Sequence, residues 1–290
     1  MTRTWIRIAS LAFGAAVLAP LAGVGRTAAQ EPRTNAPFSC HNSGSGATAM
    51  NVCVSQHGNL VKFEAPAGVD HIGPLNLFKD GYAICTGNLP TIQNVSHGYD
   101  TGGSEAGFGA ATIIQPNGPN TFPLTIIRDT TNGIFSLTQK FSRDTNEQDW
   151  TITMTLKNLS PVAQQAVKLQ RAFEGDVDNN TIPNSFFGRT LNSVFEWVDQ
   201  PSSGSPPAGR GLMLTALTWA PYGIATAVNT VDDYNPNGSG FDTGNGCIVY
   251  ARGLSTPAGG GANLVGRVVY GLDTINAGKS KTVKVAYRRM

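Results

Sequence analysis

The densest charged constellation in the chain is Arg171-Ala-Phe-Glu174-Gly-Asp176-Val-Asp178. Carboxylates placed this close can share acid/base work on a sugar ring or glycosidic bond, and such a polar floor can accept sugar hydroxyls. A structural role competes with that chemistry. Val167, Leu169, Arg171 and Phe173 fall on one face of a strand, which aims the guanidinium into apolar company. A buried guanidinium needs a carboxylate, and Asp176 or Asp178 is close enough in sequence to supply one. An ion pair tying the strand end to its loop is therefore expected. Glu196 is a further carboxylate that could join an acid/base pair.

Aromatic side chains offer a second chemistry. Trp197, Trp219, Tyr222 and Tyr234 lie at strand ends or in loops. Flat apolar faces with a polar tip suit the C–H faces of sugars, and they equally suit a sandwich core. A third candidate is Asp233-Tyr-Asn235-Pro-Asn237-Gly238, which fits the first half of a calcium loop. Gly244 stands where the full motif has a bidentate Glu, so at most a weak calcium site is expected. No other cofactor is indicated. Gly278-Lys279-Ser280 lacks the upstream glycine of a phosphate-binding loop and precedes a strand, so it reads as a turn.

The elements that would position these residues are strands. In DWTITMTLKN, Trp150, Ile152, Met154 and Leu156 alternate with Thr151, Thr153, Thr155 and Lys157. KTVKVAYR alternates likewise through Val283, Val285 and Tyr287. Period-two alternation of this length predicts half-buried antiparallel strands. NLVKFEA, PLTIIRD, GIFSLTQKFS, AVKLQRAFE, LMLTALTW, GIATAVN, GCIVYAR and LVGRVVYGL add further strands, separated by turn clusters such as DTTNG and NAGKS. No segment has the period of a long amphipathic helix. The expected fold is an all-β, large antiparallel β-sandwich in one domain, with PSSGSPPAGRG at 201–211 as a long loop.

The stretch from about Ile134 to Trp197, with T-x-x-F-S-R-D, TITMTLKN and then VKLQRAFEGDVDN, resembles exported bacterial β-sandwich proteins of unknown function. Their pattern is a strand, an N-x-S/T turn and then R-x-x-x-x-D-x-D, matched here by Arg171, Asp176 and Asp178. The sandwich is also broadly similar to the supersandwich folds of galactose-mutarotase-like proteins. The resemblance implies the fold and carries no activity with it.

The first residues set the expected compartment. Arg3 and Arg7 lead into IASLAFGAAVLAPLAGVG and a small-residue exit at Thr27-Ala28-Ala29. That order is a secretory signal peptide over residues 1–29. The expected mature chain has a disulfide-closed segment over 30–58 and the sandwich over 59–290. Cys40, Cys53, Cys85 and Cys247 allow three connectivities, of which Cys40–Cys53 and Cys85–Cys247 are expected. C-x-x-C is absent, and export argues against zinc.

The formal charge is +2, and removing the leader's three arginines leaves 18 basic against 19 acidic residues. A near-neutral surface gives no electrostatic case for nucleic acid. No apolar run beyond the leader is long enough for a membrane helix, so no membrane insertion is expected. Together these features predict a secreted or periplasmic protein that binds carbohydrate or a cell-surface partner without catalysis. The alternative is a glycoside hydrolase or sugar epimerase using paired carboxylates among Glu174, Asp176, Asp178 and Glu196.

Overall fold

The alternation in DWTITMTLKN and KTVKVAYR becomes two neighbouring strands, β9 (Asp149–Asn158) and β16 (Ser280–Arg289), paired antiparallel from Ser280↔Lys157 to Arg288↔Asp149. Trp150, Ile152, Met154 and Leu156 are buried, as are Val283, Val285 and Tyr287. A computed structural model describes residues 37–72, 80–87, 93–99, 105–143, 149–173, 186–197, 211–219, 221–230 and 264–290. These all belong to one unit, Glu31–Met290. Among them no helix is long and apolar enough to cross a membrane.

Eight strands form the larger layer. Their order is β11 (Phe186–Arg189), β12 (Ser193–Trp197), β13 (Gly211–Ala216), β16, β9, β8 (Phe135–Arg143), β7 (Leu124–Thr130) and β6 (Phe108–Ile114). The second layer is β14 (Gly223–Thr230), β15 (Leu264–Ile275), β10 (Gln164–Phe173), β4 (Asp80–Thr86) and β5 (Gln93–Tyr99). A small sheet of β1 (Pro37–Ser43), β2 (Met50–Ser55) and β3 (Leu60–Glu64) packs on them. All strand pairs are antiparallel. The fold is an all-β sandwich, as the strand pattern predicts.

Phe173 of β10 and Tyr287 of β16 meet edge to face across the layers, with ring centroids 6.0 Å apart. Leu137, Phe141, Ile152, Leu214 and Val285 fill the space from one side, and Leu169, Val268 and Tyr270 from the other. β10 departs from simple alternation. Its core-facing residues Val167, Leu169, Arg171 and Phe173 are buried, and so are Lys168, Gln170 and Ala172 on its opposite face. Burial on both faces marks a central strand rather than a half-solvated one.

The disulfide Cys40–Cys53 joins directly paired residues of β1 and β2, as expected. Cys85 on β4 is also disulfide-bonded, while Cys247 and the GCIVYAR segment lie outside the described residues. β2 also pairs with β3, so the closed hairpin and the strand after residue 58 share one sheet.

Asn158 ends β9 in a turn that ties two hairpins together. Its fully buried amide donates to the carbonyls of Val162 and Ile275 at 2.7 and 2.9 Å, and its oxygen accepts from Ser160 N–H at 2.9 Å. Asn158→Ala should cost about 2 kcal/mol, because buried carbonyls lose their donors. Chemical denaturation of the two proteins measures it; equal midpoints would show that water takes over these bonds.

Candidate functional site

Arg171 lies fully buried, as its strand face predicts. The carboxylate that the described structure brings to it is Asp80, on the neighbouring strand β4 of the same sheet, where Asp80 pairs with Phe173. Nε of Arg171 donates to Asp80 Oδ1 at 3.0 Å, and its Nη2 pairs with Oδ2 of the same carboxylate. Nη1 donates to Gln139 Oε1 at 2.6 Å and to the Gly58 carbonyl at 3.1 Å. Asp80 also accepts from the Tyr287 hydroxyl and, at 2.6 Å, from the Leu60 N–H. All three sheets therefore meet at one guanidinium. Asp176, Asp178 and Glu174 lie outside the described residues.

Gly58 is required for this meeting. Its φ is +87°, and a Cβ there would stand 2.5 Å from Gln139 Nε2. Only glycine adopts that conformation without strain, and only without a side chain can the turn approach so closely. The same turn carries His57, whose carbonyl accepts from the Tyr82 hydroxyl at 2.9 Å.

From Tyr82 the polar chain runs outward. Arg128 Nη1 donates to the Tyr82 hydroxyl at 3.1 Å, and the same nitrogen pairs with Glu105. Glu105 Oε2 lies 3.2 Å from His57 Nδ1, and these two side chains keep 13% and 14% of their surface. Burial by itself would raise the Glu105 pKa; hydrogen bonds and charge from His57 and Arg128 outweigh it and hold the carboxyl below its usual value. Tyr82 and Tyr287 are pushed up by burial and stay neutral. His57 Nε2 has no hydrogen-bond partner among the described residues. The 3.2 Å contact at Nδ1 is one of distance, without the alignment of a hydrogen bond. A carboxylate beside an imidazole at the boundary between core and solvent can support proton transfer.

His57 and Glu105 belong to no sequence motif. Only the turn at Gly58 and the start of the chain toward β6 bring them together. Glu196 is fully buried on β12, and Arg267 is fully buried on β15. A carboxylate so enclosed does not face an open cleft.

The aromatic candidates separate by exposure. Trp219 is 55% exposed. The chain before it is fixed on β16, because Leu217 N–H donates to the Lys284 carbonyl at 2.8 Å and Lys284 N–H donates to Thr218 Oγ1 at 2.9 Å. Tyr222 is half-buried against the core, with the Lys281 ammonium 5.3 Å from its ring centroid. Trp197 ends β12 and its side chain is outside the described part of the structure; Tyr234 is outside it altogether. Leu191, 81% exposed, lies in the β11–β12 turn that bonds to Ala216 through Asn192. Leu191, Leu217 and Trp219 are thus exposed on two segments that hydrogen-bond to each other through Asn192 and Ala216.

The calcium half-motif Asp233, Asn235 and Asn237 lies outside the described residues. Among the described residues, no three or more His, Cys, Asp or Glu side chains gather as metal ligands.

No protein-family model matches the sequence, and no curated protein matches it either. Solved structures do. A bacterial glucoamylase complexed with acarbose superposes with a TM-score of 0.53 at 6% identity, over 89% of this chain and 33% of the glucoamylase. This chain thus spans about a third of that protein. A galactose mutarotase related enzyme from Lactobacillus acidophilus gives a TM-score of 0.41 at 8% identity, over 87% of this chain and 97% of that one. At 6% identity the glucoamylase likeness is one of fold.

Proposed function

We propose that this is an exported carbohydrate-binding β-sandwich protein that acts outside the reducing cytosol. The observation that carries the reading is Trp219: a large indole left 55% exposed, directly after Leu217 and Thr218, which hydrogen-bond to β16. Burying such a ring would stabilise the fold, so an exposed indole marks a surface kept for a partner. A flat, exposed indole face fits the apolar face of a sugar ring, or an apolar patch on a cell-surface partner. Export is supported by the order of charged, apolar and small residues over 1–29 and by the disulfide-bonded state of Cys40, Cys53 and Cys85.

A glycan array probed with the mature protein tests the proposal, followed by titration of any bound glycan. Trp219→Ala should weaken binding at least tenfold while leaving the melting temperature within a degree or two, because the ring packs on little. Binding of no glycan, or equal binding by the variant, would overturn the assignment.

A catalytic reading has one observation in its favour, the Glu105–His57 pair. In that case the pair exchanges protons with a sugar, in anomer interconversion or glycosidic hydrolysis. Reducing-sugar release and polarimetry with the bound glycan separate the two readings. Turnover lost in Glu105→Gln but not in Trp219→Ala would favour the enzyme.

A further inference from the structure

Among the described residues the eight-stranded sheet ends at β6, with no strand on its outer side. Among the described residues β6 pairs with β7 alone, in the register Ala111↔Arg128 to Ile114↔Thr125. Its only other bonds come from the Arg128 guanidinium, which caps the Gly109 carbonyl at 3.0 and 2.7 Å. Beyond that cap no bond other than those to β7 reaches the backbone up to Ile114 among the described residues, and Ala110, Thr112 and Ile114 are exposed, Ile114 at 47%.

Sheet edges are ordinarily guarded, because unpaired backbone groups template pairing with another chain. The usual guards are Lys, Pro, a bulge or a covering loop. β6 has a bulge between Phe108 and Ala111, carries no Lys or Pro along Ala111–Ile114, and is covered there by no loop among the described residues. No charged residue occurs anywhere between Glu105 and Arg128. Thr and Ile, at 112 to 114, are strong strand formers. Nothing in the residue choice repels a second strand.

The residue order also matches itself. A two-fold axis at Thr112 places Thr112 opposite its own copy, Ala111 opposite Ile113, and Ala110 opposite Ile114. Small faces large on both sides of the ladder, and a Thr–Thr pair at the centre is favourable across antiparallel strands. The register works whether Thr112 or its neighbours carry the outward backbone groups, since antiparallel pairs alternate between the two.

We propose that two copies of this protein join edge to edge through β6, antiparallel about Thr112, so that their large sheets run on into one. The proposal is independent of the carbohydrate reading. A ladder this short is smaller than the roughly 1,200 Å2 of a stable complex. The dimer is therefore a weak one, with a dissociation constant on the order of 100 μM, favoured where the protein is concentrated.

Sedimentation equilibrium of the mature protein from about 10 μM to 1 mM tests it, spanning the roughly 100 μM constant just given. The weight-average mass should climb toward two chains. Thr112→Lys sets like charges face to face and should weaken association more than tenfold, with an unchanged melting temperature because the side chain is exposed. Thr112→Cys should form an intermolecular disulfide on mild oxidation, whereas Ala110→Cys, off the axis, should not. A mass that stays at one chain throughout overturns the proposal. So does association that Thr112→Lys leaves intact, which would place the contact elsewhere.

Discussion

Arg171→Ala should destabilise the protein by about 3–5 kcal/mol, the largest single effect expected, because it strands a buried carboxylate. Asp80 has no access to solvent through which to recover a partner; its remaining donors are the Tyr287 hydroxyl and the Leu60 N–H. Gln139 and the Gly58 carbonyl lose their donor at the same time. Against total stabilities of roughly 5–15 kcal/mol, that loss is a third or more of the margin. Asp80→Asn should also be severe, since it takes from the buried guanidinium the carboxylate that holds its Nε and Nη2. The double replacement Arg171→Met with Asp80→Leu should cost less than the two single losses added, because neither charge is then left buried alone. Urea unfolding with disulfides intact reads all of these; an Arg171→Ala midpoint equal to the parent's would show that the network contributes no net stability.

Acid should weaken the fold through His41 before it reaches the carboxylates. His41 is buried, its ring stacked on Phe122 at 3.9 Å and set edge-on to Trp150 at 5.5 Å, with Nε2 against Ser39 Oγ at 3.0 Å. Burial lowers its pKa from 6.5 to about 4. The unfolded chain then binds a proton between those two values that the native state refuses. Stability is fully present above about pH 6.5 and is lost as pH falls toward 4, by about 3 kcal/mol in all for a depression of that size. Glu64 and Glu105, both held below the usual carboxylate value, add their losses only at lower pH. His41→Phe keeps the stack and removes this titration, so its stability should fall less than the parent's from pH 6.5 to 4.5. Denaturation followed by tryptophan fluorescence across that range checks this. Parallel pH profiles for parent and variant would refute the role of His41.

Both predictions turn on contacts of different legibility. The burial of Arg171 can be read from Val167, Leu169 and Phe173 around it, since the two-residue period of a strand fixes which side chains share a face. That its carboxylate is Asp80, far back in the chain, cannot be read. The pairing follows from β10 lying beside β4, and strand order is a long-range outcome of packing. Trp150 and Trp219 divide in the same way. Alternation with Ile152 and Met154 buries the first, whereas the second follows a strand end, where no period applies.

Other elements gave weaker signals. β1 runs through CHNS, whose polar residues read as loop, and β6 and β11 contain glycines that lower strand propensity. Their strands exist because neighbours supply the hydrogen bonds. His57 and Glu105 sit in separate turns and meet only because Gly58 lets the chain pass close to Gln139. The Cys40–Cys53 bridge was legible because a short polar stretch between two cysteines can turn back on itself.

By itself, then, the sequence determined the all-β class, the faces of the long strands and the short disulfide, because each depends on local period or on residues close along the chain. Tertiary structure decided the partner of Arg171, the His57–Glu105 pair, the exposure of Trp219 and, among the described residues, the place of β6 at the end of its sheet. These depend on which strands become neighbours and which strand is left last in its sheet, and that is settled by the burial of apolar faces summed over the whole sandwich, not by any segment within it.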